Sequence, residues 1–227
     1  APYGEGENVP KKKKVTATFK GPEMGQLYKL PVFYLMLLCT MLVVSGVYMT
    51  YSVIRPFLQD SGFSTAQATG LYSTLMLLLA GSKFMVGFAS DKIGGRRVNL
   101  LCVLFAVVAI ILLLLMKNFV VATVAVVSLA FSLPIITIMT PILTSSILGF
   151  RAQAQYTGIF VGTVKLSQLI SNYVSNRICD VYGSYKYSFV VSVALVVVSF
   201  GLYLLLYRIA DKMKAKEERG EEIAESA

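Results

Sequence analysis

Six long apolar runs dominate this chain and limit what it can fold into. A helix needs about 20 residues to cross the hydrocarbon core of a bilayer, and each run meets that length. The runs occupy residues 30–54, 66–89, 98–116, 119–148, 153–176 and 187–207. The sequence therefore predicts an all-α membrane protein whose six transmembrane helices form one bundle over residues 30–207.

Composition supports this prediction. Hydrophobic residues make up 56% of the 227 residues, charged residues only 15%, and the mean hydropathy is +0.70. A soluble domain has roughly a quarter of its residues charged. Outside the bundle we expect only a polar cytoplasmic linker at residues 1–29 and a charged cytoplasmic tail at residues 208–227.

The net charge of +9 is explained by topology. Basic residues are concentrated before the first run, between the second and third, after the fourth and after the sixth. The other connections carry only Arg55, Lys117, Arg177 and Lys186. By the positive-inside rule both termini are cytoplasmic, and we expect the plasma (inner) membrane. The charge therefore gives no reason to expect a nucleic-acid partner, whereas membrane lipid surrounds the bundle.

The chain offers little for catalysis or metal binding. It has no histidine, and Cys39, Cys102 and Cys179 lie on separate segments without paired ligand spacing. Every Asp and Glu lies outside the apolar runs. We therefore expect no metal, no cofactor, no catalytic residue and no enzymatic activity.

Two lysines stand out because they lie deep inside apolar runs. Lys83 is about eight residues, roughly 12 Å, from the polar end of its run, and Lys165 is roughly 18 Å from either end of its own. With no carboxylate at that depth, they are deprotonated, pair with acids of another domain, or bind an anion. Binding of an anion is the more specific hypothesis. The alternative is that the lysines snorkel or are held neutral.

Other polar side chains accompany these lysines. The run with Lys165 also carries Ser167, Gln168 and Asn172, and Tyr48 and Tyr51 lie in the first run. We expect them to be secondary contacts of a bound anion, although close helix packing is the commoner role of small polar residues. In the fourth run, Pro134 and Pro141 predict a bent helix.

The connection after the second run resembles the loop signature of the major facilitator superfamily. The residues that carry this resemblance are Gly87, Asp91, Lys92, Gly94, Arg96 and Arg97. In that family a basic residue directly follows the second glycine, whereas here Gly95 intervenes. The resemblance implies one six-helix half of the family fold, with this loop helping to hold one gating conformation.

Further segments resemble the C-terminal half of the oxalate/formate antiporter and monocarboxylate transporter group. These are EMGQLYKLPVFYLMLL at 23–38 and DVYGSYKYSF at 180–189. Lys83 lies where these transporters place a substrate-binding arginine, and Lys165 matches a binding lysine of the oxalate/formate type. Leu79 replaces the aspartate that carries protons in the monocarboxylate type, which favours anion exchange.

The resemblance implies transport of small mono- or dicarboxylates by alternating access. The partners would be a small carboxylate and an N-terminal six-helix half, so the chain would be a fragment or one chain of a split protein. Two alternatives remain: a drug or sugar exporter of the same superfamily, which would tolerate loss of both lysines, and a membrane binding subunit that does not transport.

Overall fold

The computed structural model describes residue 25, residues 28–149, residue 151 and residues 153–218. The linker predicted at 1–29 therefore lies almost wholly outside the described residues, as does the end of the tail from residue 219. The described part folds into six helices: α1 Pro31–Asp60, α2 Thr65–Ile93, α3 Gly95–Leu114, α4 Phe119–Leu148, α5 Gln153–Tyr182 and α6 Lys186–Glu218. Each apolar run forms the centre of one helix, and the predicted all-α membrane class is confirmed.

Five of these helices are long and apolar enough to cross a membrane, and α5 is the exception. It has 30 residues, so length is not the reason. Its lysine, glutamine and asparagine side chains lower its hydropathy instead. A helix of this length and polarity in a membrane bundle has to turn its polar face away from lipid.

Helices α1, α2, α5 and α6 continue past the C-terminal ends of their apolar runs. As a result Asp60, Asp91, Asp180 and Asp211, which the sequence placed in connections or the tail, belong to helices. All four lie near helix ends or beyond the apolar centre, where water can solvate a carboxylate. The apolar centres of the described helices therefore still contain no acid.

The connections between the helices are short. Ser64 caps α2: its hydroxyl accepts a hydrogen bond from the Gln67 N–H, and the Gln67 side chain accepts one from the Ser64 N–H. Gly94 alone separates α2 from α3, with a φ of 91° that an L-residue rarely adopts. The basic loop predicted from the sequence is therefore a single-residue turn, and Arg96 and Arg97 lie in the first turn of α3.

The regular hydrogen bonding of α4 is interrupted near Pro134 and Pro141. An α-helical segment Phe119–Ser132 is followed by a π-helical segment Ile135–Met139 and then by Thr140–Leu148. Proline cannot donate the helix hydrogen bond, so carbonyl groups one turn earlier are left without their usual partner. For Pro134 this is the Ala130 carbonyl, and the Ser82 hydroxyl of α2 donates to it at 2.8 Å.

Helix α1 lies at the centre of the packing, against α5 and α6, while α3 packs against α4 and α6 and α2 packs chiefly against α4. Gly46 allows the close approach of α1 and α6, since a Cβ there would lie 2.5 Å from Val196 Cγ2. Gly158 and Gly162 of α5 form a GxxxG step, a pattern typical of close helix packing in membranes. Here a Cβ at either glycine would meet nothing within 4 Å among the described residues, so the step makes no close helix contact there.

The two ends of the bundle differ in charge. We call the end formed by Gly94, Arg151 and the last turns of α6 the basic end. The opposite end is formed by the turns at residues 61–64, 115–118 and 183–185.

Candidate functional site

Lys83 is held on a helix whose backbone is anchored next to it. Ser82, which is buried, donates a hydrogen bond of 2.8 Å to the Ala130 carbonyl of α4. Lys83 itself is half-buried. Among the described residues no carboxylate lies within 4.0 Å of the Lys83 ammonium. An ammonium group placed in this way is available to an anion.

Lys165 lies on the outward face of α5. Its neighbours Val164 and Ser167 are buried against the bundle, whereas the lysine is exposed on this half. Its ammonium lies 3.4 Å from the Gln168 side-chain oxygen, its one recorded hydrogen bond. Like Lys83, Lys165 has no ion-pair partner in the part of the chain that the structure describes.

A row of amides continues from Lys165 towards the opposite end. Gln168, Asn172 and Asn176 follow at helical spacing, and the Asn176 amide donates to the Asn172 carbonyl at 2.8 Å and to its side-chain oxygen at 3.2 Å. The Gln168 and Asn172 side-chain oxygens are thus already accepting hydrogen bonds. Their N–H groups are the atoms left to bind a ligand, and they suit an anion.

Ser167, which was expected on this polar face, is turned the other way, and so is Ser171. Ser167 and Ser171 are buried and donate to carbonyls of their own helix, at 2.8 Å and 2.6 Å. Ser167 was expected to share the polar face of Lys165, but two residues turn an α-helix by about 200°, so Ser167 lies on the opposite side of the axis. Ser167 therefore belongs to helix packing and not to the open face.

Three tyrosines form a cluster between α1 and α2, here called the tyrosine ladder: Tyr48, Tyr51 and Tyr72. The ring centroids of Tyr48 and Tyr51 are 5.4 Å apart, and those of Tyr51 and Tyr72 are 6.3 Å apart and stacked. The Tyr51 and Tyr72 hydroxyls lie 3.2 Å apart, and Tyr51 also reaches Met76 Sδ at 4.0 Å. All three tyrosines are half-buried.

The sequence predicted Tyr48 and Tyr51 as site residues but missed Tyr72 and Met76. The sequence did contain a signal for these two residues. Tyr72 and Lys83 are eleven residues apart, which is three helical turns plus about 20°, so Tyr72, Met76 and Lys83 share one face of α2. The structure thus joins Tyr51 to α2, Tyr48 to Tyr51, and Lys165 to Gln168. No recorded contact among the described residues joins the two lysines to each other or to the ladder.

The glycine and charged residues of the predicted gating loop lie at the basic end. Arg96 forms an ion pair with Asp211 of α6, and its guanidinium carbon lies 5.5 Å from the Tyr207 ring centroid. The Lys92 ammonium lies 4.4 Å above the Phe88 ring. Gly87 is half-buried, whereas Asp91, Gly94 and Arg97 are exposed. The connection between α2 and α3 is therefore tied to the last helix of the same bundle.

A buried amide continues this network and was missed from the sequence. Asn99 is fully buried, and its amide donates a 2.9 Å hydrogen bond to the Tyr207 hydroxyl, one helical turn before Asp211. The Asn99 side-chain oxygen has no hydrogen-bond partner among the described residues. The Asn99–Tyr207 contact spans 108 positions of the chain and the Arg96–Asp211 contact spans 115. No local sequence pattern therefore marks these residues.

A cavity of about 610 Å³ opens at the opposite end, away from the basic-end network. It is lined by Phe57, Asp60, Ser61, Met116, Gly183, Ser184, Tyr185 and Lys186. Burial raises the pKa of the Tyr185 phenol, and a hydrogen bond with Cys179 and the nearby Asp60 charge act in the same direction. The phenol is therefore kept protonated, as a hydrogen-bond donor.

The described residues contain no group of three His, Cys, Asp or Glu side chains placed to hold a metal ion. Lysines, amides and phenol groups are therefore what the candidate site offers. This donor-rich set can bind oxygen atoms of an anion by charge and hydrogen bonds.

Comparison with known proteins gives one family. The chain matches the sequence profile of the Major Facilitator Superfamily over residues 2–168 and again over residues 36–225, and each match covers more than half of the chain. The two halves of such carriers are structural repeats, so a six-helix unit can match the family in two registers. The comparison with curated proteins gives no match.

Proposed function

Because the chain belongs to the Major Facilitator Superfamily, a family of membrane transporters, we propose that it is part of a carrier for small organic anions. The observation that supports this proposal is the pair of unneutralised lysines. Lys83 and Lys165 lie well inside two helices of an integral, multi-pass membrane protein, and neither has a carboxylate within ion-pair distance among the described residues. In a site of low dielectric constant, such charges bind carboxylates strongly.

In this proposal Lys83 and Lys165 bind the substrate carboxylate. Gln168 and Asn172 offer their amide N–H groups, and Tyr48 and Tyr51 offer ring surface and a hydroxyl donor. An ammonium is a point charge without the planar fork of a guanidinium, so the site accepts carboxylates in more than one orientation. Mono- and dicarboxylates both fit this chemistry.

The chain acts as the C-terminal half of an oxalate/formate-type carrier, with both termini in the cytoplasm of a cell whose plasma (inner) membrane it spans. Transport proceeds by alternating access, as this half and an N-terminal half rock around the shared site. Gly87, Asp91, Lys92, Gly94, Arg96 and Arg97 help to hold one conformation at the cytoplasmic surface. The exposed polar face of α5 is then covered by the second half and water, not by lipid.

Exchange of anions is proposed over proton-coupled symport. Leu79 lies one helical turn before Lys83, and no acid lies in the apolar centres of the described helices to carry a proton. A bound anion neutralises the charges of the two lysines. Without it these charges stay unpaired inside the bundle, so the change of conformation that returns the empty carrier is slow.

The test is exchange of labelled oxalate and formate by the carrier with both halves in proteoliposomes. Lys83→Gln and Lys165→Gln are each expected to reduce exchange by a factor of ten or more, since removing one partner of a desolvated charge pair costs about 2–5 kcal/mol. Lys117→Gln is the matched control, because Lys117 is exposed in the turn at 115–118, and it is expected to retain parental exchange. Full activity in both site variants would refute the anion site and favour an exporter of uncharged substrates.

A further inference from the structure

We propose that the preferred substrate is an aromatic monocarboxylate, bound with its carboxylate at the lysines and its ring against the tyrosine ladder. This inference rests on the proposed function, because it assumes the carboxylate site at Lys83 and Lys165. It adds a second requirement that the lysines cannot impose: the substrate must also have a flat apolar body of defined length.

The tyrosine ladder provides an apolar surface with open ring area. Tyr48, Tyr51 and Tyr72 are half-buried, and their rings follow one another at 5.4 and 6.3 Å across the α1–α2 contact. Met76 adds a polarisable sulfur 4.0 Å from the Tyr51 hydroxyl. Rings and thioethers prefer aromatic neighbours, whose offset or edge contacts add to simple burial.

Helix geometry directs the Lys83 ammonium towards this surface. Helical side chains lean towards the N-terminus of their helix, and the N-terminus of α2 is at the opposite end, beyond the ladder. Lys83 therefore leans towards Tyr72 and Met76, which share its face of α2. Helix α1 runs the other way, so Tyr48 and Tyr51 lean towards Lys83.

The spacing also sets a length. Helices α1 and α2 run in opposite directions from the turn at residues 61–64, so residues equally far from this turn lie at the same height. Tyr48 is therefore level with residue 77 of α2, and Lys83 lies about six residues, or 9 Å, further from the turn. The four-carbon stem of the lysine covers up to about 6 Å of that distance. The remaining gap of about 3 Å is one ammonium–oxygen contact, so the carboxylate lies level with Tyr48 and one aromatic ring beyond it lies level with Tyr51.

Charge gives the ligand its orientation. The faces of the tyrosine rings are electron-rich and repel a carboxylate, whereas ring edges and phenol hydrogens are positive. A carboxylate therefore binds the ammonium groups and leaves its organic body to the ladder. Formate and oxalate have no such body, so they gain nothing from the three tyrosines.

The test is calorimetric titration of the purified two-half carrier with benzoate, cyclohexanecarboxylate and acetate. We expect benzoate to bind about tenfold more tightly than acetate and about two- to tenfold more tightly than the saturated ring of equal size, the range expected for aromatic pairing. Tyr51→Leu and Tyr72→Leu should bring the benzoate and cyclohexanecarboxylate affinities to within twofold of each other. Tyr72→Phe keeps the ring, and should keep the preference.

The outcomes separate this inference from the proposed function. If all three acids bind equally and Lys83→Gln abolishes their binding, the anion site stands and the aromatic preference is refuted. A benzoate preference that survives both leucine variants also refutes it. If no acid binds, or if binding is unchanged in Lys83→Gln, the carboxylate site itself is refuted together with the inference.

Discussion

Lys83 and Lys165 are the residues on which the proposed function depends. Their positions were visible in the sequence, because a lysine within an apolar run is conspicuous. The side on which each neighbour lies required the helix geometry: Ser167 is buried whereas Gln168, one residue on, is half-buried. What a single side chain binds therefore depends on its angle around the helix as much as on its depth.

The buried Asn99–Tyr207 pair gives a prediction at the scale of one residue. Tyr207→Phe removes the acceptor of the Asn99 amide, whose side-chain oxygen already lacks a partner among the described residues. Leaving a buried donor unpaired costs about 1–3 kcal/mol. We expect a lower unfolding temperature in detergent, measured by thermal denaturation.

The control for this substitution is Tyr173→Phe. It makes the same chemical change on α5, where the tyrosine is 70% exposed, so the unfolding temperature is expected to stay at the parental value. Equal unfolding temperatures in Tyr207→Phe and the parent would show that the buried pair contributes nothing to stability.

At the scale of helices, the contact of α1 with α6 depends on one small residue. A Cβ at Gly46 would lie 2.5 Å from Val196 Cγ2 and 2.9 Å from the Ser192 carbonyl oxygen. Gly46→Ala must therefore push the two helices apart, at a cost of about 1–3 kcal/mol. Chemical denaturation in detergent should show this loss.

Gly201→Ala on α6 is the matched variant. Its Cβ would meet nothing within 4 Å, and alanine is the better helix former, so stability should be unchanged or raised by up to about 1 kcal/mol. If both glycine variants behave alike, the close packing of α1 and α6 is not a determinant of the bundle.

The ion pair between Arg96 and Asp211 joins α3 to α6 and gives a second prediction for helices. The two side chains are 28% and 63% exposed, so the pair is worth only about 0–1 kcal/mol of stability. Its expected role is to hold the gating loop. Arg96→Asp and Asp211→Arg should each slow anion exchange, and the double reversal should restore most of it.

This prediction is checked by exchange rates of the parent, the two single variants and the double variant. Unfolding temperatures of all four should agree closely, because a partly exposed pair contributes little to stability. A double variant as slow as the product of the single effects would contradict a direct role for the pair.

For the whole molecule, the sequence was enough to predict the class of fold but not the arrangement of helices. Apolar runs of sufficient length directly reflect the bilayer, so the six-helix membrane fold was predictable. The helix ends were not, since hydrogen bonding continues past the apolar residues into Asp60, Asp91 and Asp180. Contacts between distant segments, such as Tyr51 with Tyr72 and Arg96 with Asp211, left little or no local trace.

The most direct experiment tests whether Lys83 and Lys165 bind the same anion. Exchange of labelled oxalate is measured for the parent two-half carrier, Lys83→Gln, Lys165→Gln and the double variant. We predict that each single substitution removes most of the exchange and that the double variant is no more than about threefold worse, because groups that act on one ligand are not additive. Losses that multiply would mean separate sites, and four equal rates would mean that the lysines are not part of the transport site.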